Sequence, residues 1–419
     1  MYRTKYVDEK VVKEAKEFLK SLLKIDSVEK PADGDKPFGK GVADALDLAL
    51  ATMEKEGFSV KNGDYYYGYG EVGQGDLFGV LNHLDVVPVD KNWSMDPFGA
   101  IEKEGKIFGR GALDDKGPFA ACFYAAAQLL REGRTPKKRL RFIVGCDEES
   151  GWLCMDRYLQ EEPLPATGIS PDGDFPVINC EKGIVYHTIR IPKPSNIRDF
   201  VSGSRANMVP DFARAEYTDG RVAETKGKSA HGSHPENGDN ALIKMLTKLS
   251  AENENFATLA KAFGRYDGSA VGLNASDEKS GALTLNLGCA RTEGEEIVFE
   301  LDIRYPVSVD KDALTATLQK RLPGIKVEQG FFHLPLYVDK DNALIKDLLS
   351  AYDEVMGGKA EPIAIGGGTY ARALPLGVAF GPCFPGGNGG MHCPDEYMDL
   401  DDFAKMMDVY YLALKKLCF

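Results

Sequence analysis

The sequence predicts an α/β fold interrupted by an inserted α+β unit, and three observations carry that reading. Strand-like and helix-like segments alternate up to about Gly183 and again after about Leu334, as they do around a mostly parallel sheet. From about Gly183 to about Gly330, half-buried strand patterns crowd together with few helical stretches, the mark of an antiparallel sheet covered on one face. A chain of 419 residues is also longer than one ordinary core organises. The expected boundaries are a first catalytic segment at 1–183, an insert at 184–332 and a second catalytic segment at 333–419.

The elements follow in order. Val12, Ala15, Phe18, Leu19, Leu22 and Leu23 recur at helical spacing near the N-terminus, and charges interrupt the stretch too often for a signal-peptide core. LFGVLNHLDVV (77–87) is a continuous apolar run ending in polar residues, as a buried parallel strand would be. PFAACFYAAAQLLREG (118–133) reads as a helix stopped by Gly133, and RLRFIVGC (139–146) as the next buried strand. GWLCMDRYLQ continues as helix, and TGISPDGDFPV carries a short strand into a loop. In the insert, HTIRI, ARAEYT, GALTLNLGCA, EIVFELDIRYP and IKVEQGFF alternate as strands, with ALIKMLTKLS and KDALTATLQKRL as helices. The α/β pattern then resumes with a helix in NALIKDLLSAYDEVMGG, a short strand in GVAFGPC and a closing helix in DDFAKMMDVYYLALKKL.

Composition narrows the function. A formal net charge of -13 argues against nucleic acid, whose phosphates need Lys and Arg to neutralise them. The apolar runs are too short to span a bilayer, so no membrane partner is expected. Eight cysteines form no CxxC pair and no regular framework. Reduced thiols in a cytoplasmic protein are therefore expected, without a cysteine-held zinc. Gly68, Gly70 and Gly73 satisfy GxGxxG, but a strand-like run follows them rather than a helix, which disfavours a dinucleotide site. His187 and His333 sit in apolar surroundings and read as structural; Cys393 reads as a packing residue.

The chemistry concentrates at strand ends. His83 and Asp85 lie two apart, so both side chains share a face, and a carboxylate there can orient an imidazole that binds metal. Asp114 and Asp115 form a turn before a helix, Glu148 and Glu149 follow a buried strand, and Asp172 follows another. His392 lies more than three hundred residues beyond His83, in a second segment dense with candidate ligands. Sites in open α/β sheets form beyond the carboxyl ends of the strands, so these acidic loops are expected to converge. The adjacent Glu148 and Glu149 side chains diverge, which allows one to be a ligand and the other a base. Taken singly, the HxD is more simply a coincidence, and the acidic pairs and Asp172 are more simply turn residues. Taken jointly they favour a site for two hard or borderline divalent cations, without fixing the reaction.

GVLNHLDVVPV, DPFGA, GKIFGRGALDDKGP, FIVGCDEESGW, SPDGDFPV and MHCPDEYM together resemble, in order and spacing, the co-catalytic zinc peptidases related to aminoacylase and carboxypeptidase G. The segments WSMDPFGA, DEESGWLCMD and DGDFPVINCEKG are most similar to bacterial PepV-type, carnosinase-like dipeptidases. The resemblance implies a zinc-peptidase catalytic domain with a ferredoxin-like lid. It implies that His83 and Asp172 hold one metal, Glu149 and His392 the other, and that Asp114 bridges them across a cis Asp114–Asp115 peptide. Asp85 would orient His83, and Glu148 would be the general base. In the lid, His231 (preferred to His234) and Asn207 would meet the oxyanion, and Arg304 the substrate's terminal carboxylate. Thr369 and Arg372 fall in a glycine-rich stretch that matches a substrate loop. The expected activity is hydrolysis of short peptides with a free amino terminus, with zinc as the metal and manganese or cobalt suited to the same ligands. The rivals are an N-acyl-amino-acid amidohydrolase and a non-catalytic metal- or peptide-binding scaffold. A monomer is expected in preference to a lid-mediated dimer.

Overall fold

The computed structural model describes residues 4–387 and 389–419. Its contacts divide the chain into two compact units, one of 1–179, 338–363 and 369–419, the other of 180–337 with 364–368. The second unit therefore includes a short return segment that lies outside the 184–332 insert expected from sequence.

In the first unit, the strands Arg139–Gly145, Leu77–His83, Thr167–Ser170 and Leu376–Ala379 are neighbours in that order and all run parallel. Their side chains are buried on both faces, which is why they read as unbroken apolar runs. Antiparallel strands Tyr67–Val72 and Ser59–Gly63 extend the sheet on one side, and Ile178 pairs antiparallel with Ala379 on the other. The sheet is thus mixed rather than mostly parallel. Gly68 and Gly70 lie inside one of these antiparallel strands, away from any phosphate-binding turn.

The helix Lys116–Arg131 is buried almost throughout, and it packs on the last helix, Leu400–Leu417. The amphipathic helix Glu9–Leu23 buries Val12, Ala15, Phe18, Leu19, Leu22 and Leu23, the same stripe that its spacing marked out. Ahead of it, the backbone N–H groups of Lys5, Tyr6 and Val7 all donate to the carboxylate of Asp408 on the last helix. Among the described residues no helix is long and apolar enough to cross a membrane.

The second unit is a seven-stranded antiparallel sheet. The helices Ala241–Lys248, Glu254–Phe263 and Lys311–Arg321 share one apolar core with it. Its long central strands Gly183–Pro192, Thr284–Glu293 and Glu296–Tyr305 alternate or fill that core according to the face they present. His187 is buried beside Thr315, whose hydroxyl lies 2.9 Å from its Nε2, and burial pulls the imidazole down to about 4. That is the structural place expected of it. Cys393, by contrast, is exposed and not a packing residue.

Candidate metal centre

Parallel register aligns His83 with Gly145, so the chain leaves the two central strands at one edge of the sheet. The loops that follow carry Asp85, Glu148 and Glu149, and the neighbouring parallel strand ends just before Asp172. The convergence expected from sequence is present. One oxygen or nitrogen each from His83, Asp114 and Glu149 lie within 4.8 Å of one another, as do those from His83, Glu148 and Asp172.

The hydrogen bonds dictate which atoms are available. His83 Nδ1 lies 2.9 Å from the Asp85 carbonyl oxygen, which can only accept, so the proton of the neutral ring is on Nδ1. The other nitrogen, Nε2, then presents a lone pair to Asp114 Oδ1 at 2.8 Å. His392 Nε2 lies 2.6 Å from Asp114 Oδ2 and 3.1 Å from Glu149 Oε1. Lone pairs face one another at such distances only across a proton or a cation. The two oxygens of Asp114 therefore address two different imidazoles. Asp172 Oδ2 stands 4.0 Å from His83 Nε2.

Electrostatics make the same point. Burial, with Asp172, Glu149 and Asp114 nearby, pushes the Glu148 carboxyl well above the usual range. Burial and the charge of Asp114 push Asp172 up to about 7, and Glu149 is raised for the same reasons. Burial works against a charged imidazole at His392, but Asp114 and Glu149 prevail and push it up to about 11. Burial opposes a charged His83 as well, yet Asp114 and Asp85 raise it, and both imidazoles hold Asp114 well down despite its burial. The cluster demands positive charge. Four carboxylates and two imidazole nitrogens are hard and borderline donors of the kind that hold zinc or manganese. The buried, unpartnered Asp85 Oδ1 leaves that carboxylate spare acceptor capacity beside the site.

The supports are specific. Asp85 acts twice: its carbonyl holds His83, while its carboxylate accepts the Glu149 N–H at 2.9 Å and stands 3.6 Å from His83 Nδ1. The expected orientation of His83 by Asp85 thus runs through the main chain. Asp147 accepts the N–H groups of Gly151 and Leu153, which fixes the turn that presents Glu148 and Glu149. The Asp114–Asp115 peptide is cis. Asp115 turns away to accept from Asn82 and from the His83 backbone. Tyr370 sets its ring edge-on to His83 and its hydroxyl 2.7 Å from Cys154 Sγ; a Cβ on Gly145 would lie 2.3 Å from that hydroxyl.

Sequence reasoning missed Asp147, Tyr370, Arg110 and Glu396. Asp147, Arg110 and Glu396 sit inside the quoted motifs, so their positions were visible while their partners were not.

In the second unit, Asn207 and His231 are neighbours. The Gly232 N–H donates to the Asn207 carbonyl at 2.6 Å, and Met208 bridges His231. His231 Nδ1 accepts the Ser233 N–H at 3.2 Å, so the neutral ring carries its proton on Nε2. A Cβ on Gly232 would meet Asp302 Oδ2 at 2.6 Å. Asp302 in turn takes Nε and Nη2 of Arg304, whose Nη1 donates to the Gly366 carbonyl. The bidentate edge of Arg304, expected to face a substrate carboxylate, is therefore occupied by Asp302. His234 is exposed beside Glu236. In the first unit, Thr369 caps the short turn Tyr370–Ala373, which carries Arg372.

An edge where two imidazoles and surplus carboxylates gather has the donor set of a dinuclear metal centre. The chain belongs to peptidase family M20/M25/M40, whose model matches residues 79–416. A Bacillus subtilis (strain 168) protein described as "Putative dipeptidase YtjP" is 38% identical over 456 residues, spanning 98% of this chain and 97% of that protein. Among solved structures, human carnosine dipeptidase 1 superposes with a TM-score of 0.62 at 16% identity, covering 97% of this chain and 98% of that one. Bacillus subtilis YXEP, described as a dinuclear metal binding peptidase, superposes with a TM-score of 0.54 at 11% identity, covering 97% and 99%.

Proposed function

We propose that this chain is a dipeptidase that works with two divalent cations and cleaves short peptides bearing a free amino terminus. His83 and Asp172 would hold one ion, Glu149 and His392 the other, with Asp114 shared between them. One observation carries the reading: the two oxygens of Asp114 face different imidazoles, at 2.8 and 2.6 Å. The long, full-coverage likeness to a protein described as a dipeptidase supports the substrate class. Zinc is the proposed metal, with manganese and cobalt suited to the same donors.

When bound, a pair of such ions polarises a scissile carbonyl and makes a water nucleophilic near neutral pH. The residues then divide the work. Glu148 lies among the ligands yet belongs to no imidazole pair, and its raised proton affinity suits it to take the proton of the attacking water and pass it to the leaving amine. Asp85 holds His83 in the tautomer that leaves Nε2 for a cation, and it ties down the Glu149 backbone. His231, with its Nε2 proton, and Asn207 are assigned to the oxyanion. Arg304, Thr369 and Arg372 are assigned to substrate binding, Arg304 through Nη1. The protein is proposed to work as a monomer. Its cysteines, all free, fit the cytoplasm.

Purified apo-protein should be supplied in turn with zinc, manganese and cobalt, each against a dipeptide and its N-acetylated counterpart. Turnover of the free dipeptide that vanishes on chelation is the expected result. Turnover of the acylated compound alone would replace the reading with an N-acyl-amino-acid amidohydrolase. No turnover of either, with metal bound, would leave a binding scaffold.

A further inference from the structure

Glu396 lies four residues beyond His392, and its side chain is 0% exposed. Its Oε1 accepts the N–H of Leu113 at 2.8 Å and that of Asp114 at 3.3 Å, while Oε2 takes Arg110 Nη1 at 2.6 Å. Its own carbonyl accepts the Gly109 N–H at 3.0 Å. One residue thus grips the 109–114 loop through the main chain at both ends and through a buried ion pair.

Arg110 is fixed in turn. Its side chain is 3% exposed, its N–H donates to the Pro97 carbonyl, and its guanidinium lies over the Trp93 ring, 5.2 Å from the centroid. Ser94 adds a second tie by donating from both its N–H and its hydroxyl to Asp395. A short antiparallel sheet, pairing Tyr397 with Phe108, joins the same two segments. The loops carrying Asp114 and His392, far apart in sequence, are clamped together at Glu396 by a fully buried carboxylate.

We propose that Glu396, paired with Arg110, is a positioning residue that sets the separation between Asp114 and His392, and so governs the ion between them more than the ion at His83 and Asp172. The physical reason is a count of what each ion loses. Release of the clamp frees both Asp114 and His392 on one side, but only Asp114 on the other, where His83 is held independently by Asp85. The buried carboxylate also leaves no room for a simple surface role. An isolated Arg110 would be a stranded charge, and isolated N–H groups at Leu113 and Asp114 would be left without acceptors. Outer partners of metal ligands typically govern affinity over a 10- to 100-fold range.

This inference rests on the two-ion reading above, and one experiment separates the two. Stepwise zinc binding to the apo-protein is measured by calorimetry for the wild type, for Glu396→Ala, and for the charge-neutral double variant Arg110→Met with Glu396→Gln. The double variant serves if Glu396→Ala fails to fold, because it strands no charge. The wild type should bind two ions. In the variants one of the two steps should fall by roughly 10- to 100-fold while the other changes by less than about threefold. Dipeptide turnover should recover as zinc is raised by about the same factor. A wild type that takes up fewer than two ions overturns the two-ion reading itself. Two wild-type ions with equal weakening of both steps, or of neither, overturns the positioning role alone.

Discussion

Asp302 and Arg304 in the second unit, and the carboxylates around Asp114 in the first, are all withdrawn from water, yet their charges are settled differently. Arg304 lays two nitrogens on Asp302, and its third goes to a carbonyl, so the pair closes within itself. Around Asp114 the carboxylates outnumber the cationic partners, and the imbalance lifts Glu148, Glu149 and Asp172 while holding protons on His83 and His392. A buried charge matched by its neighbour needs nothing further to balance it. An open one marks a place where charge must come from outside.

The largest test of that contrast removes the carboxylate assigned to proton transfer. Glu148→Ala should lower kcat by about 10²- to 10⁴-fold while the protein still takes up metal, as read by metal analysis of the purified variant. Normal turnover would remove Glu148 from the chemistry, and loss of metal along with turnover would make it a ligand instead. Next comes the closed pair. Asp302→Ala should cost the second unit roughly 3–5 kcal/mol in denaturant unfolding, because it strands Arg304, whereas replacing both members with apolar residues should be close to neutral. If the double replacement is as damaging as the single one, Arg304 has work beyond pairing.

A smaller effect comes from adding metal without mutation. Zinc at about 100 times its dissociation constant should stabilise the first unit by about 2.7 kcal/mol, and protection from hydrogen exchange should rise there and not in the second unit. Uniform protection would mean that the charge imbalance is not localised. The smallest effect is in pH. Burial lowers His187 from 6.5 to about 4, so below about 6.5 the unfolded chain binds a proton that the folded unit refuses. Stability should therefore fall as pH drops from about 6.5 towards 4, by roughly 1 kcal/mol at pH 5.5. His187→Gln should flatten that segment of the stability curve; an unchanged slope would assign it to other groups.

The sequence made the strand ends readable because apolar runs and acidic loops are local patterns. His83, Asp114, Glu149, Asp172 and His392 could be placed at one edge before any contact was known, and the resemblance gave them provisional roles. What stayed hidden was of three kinds. The helix Lys40–Lys55 and the helix Glu254–Phe263 passed unnoticed beside stronger signals, although each buries a regular apolar stripe. The strands Lys106–Phe108 and Tyr397–Asp399 are too short to register and pair across more than half of the chain. Glu396 was in plain view within MHCPDEYM, but its partners include backbone N–H groups, which leave no trace in side-chain patterns. Arg304 was readable as a residue, but not its pairing: Asp302 lies two residues away on the same strand and so on the same face, and it takes Nε and Nη2.

The interrupted first unit has a consequence for synthesis. Nascent domains tend to fold as units in the order they leave the ribosome. The strand Leu376–Ala379, which borders Thr167–Ser170, emerges only after the whole of 180–337 has been made. The second unit can thus finish first, while the earlier strands wait with one flank open. His392 arrives later still, and the Asp408 carboxylate that gathers the amides of Lys5, Tyr6 and Val7 last of all. Until His392 is translated, the carboxylates around Asp114 have only one of the two imidazoles that face them.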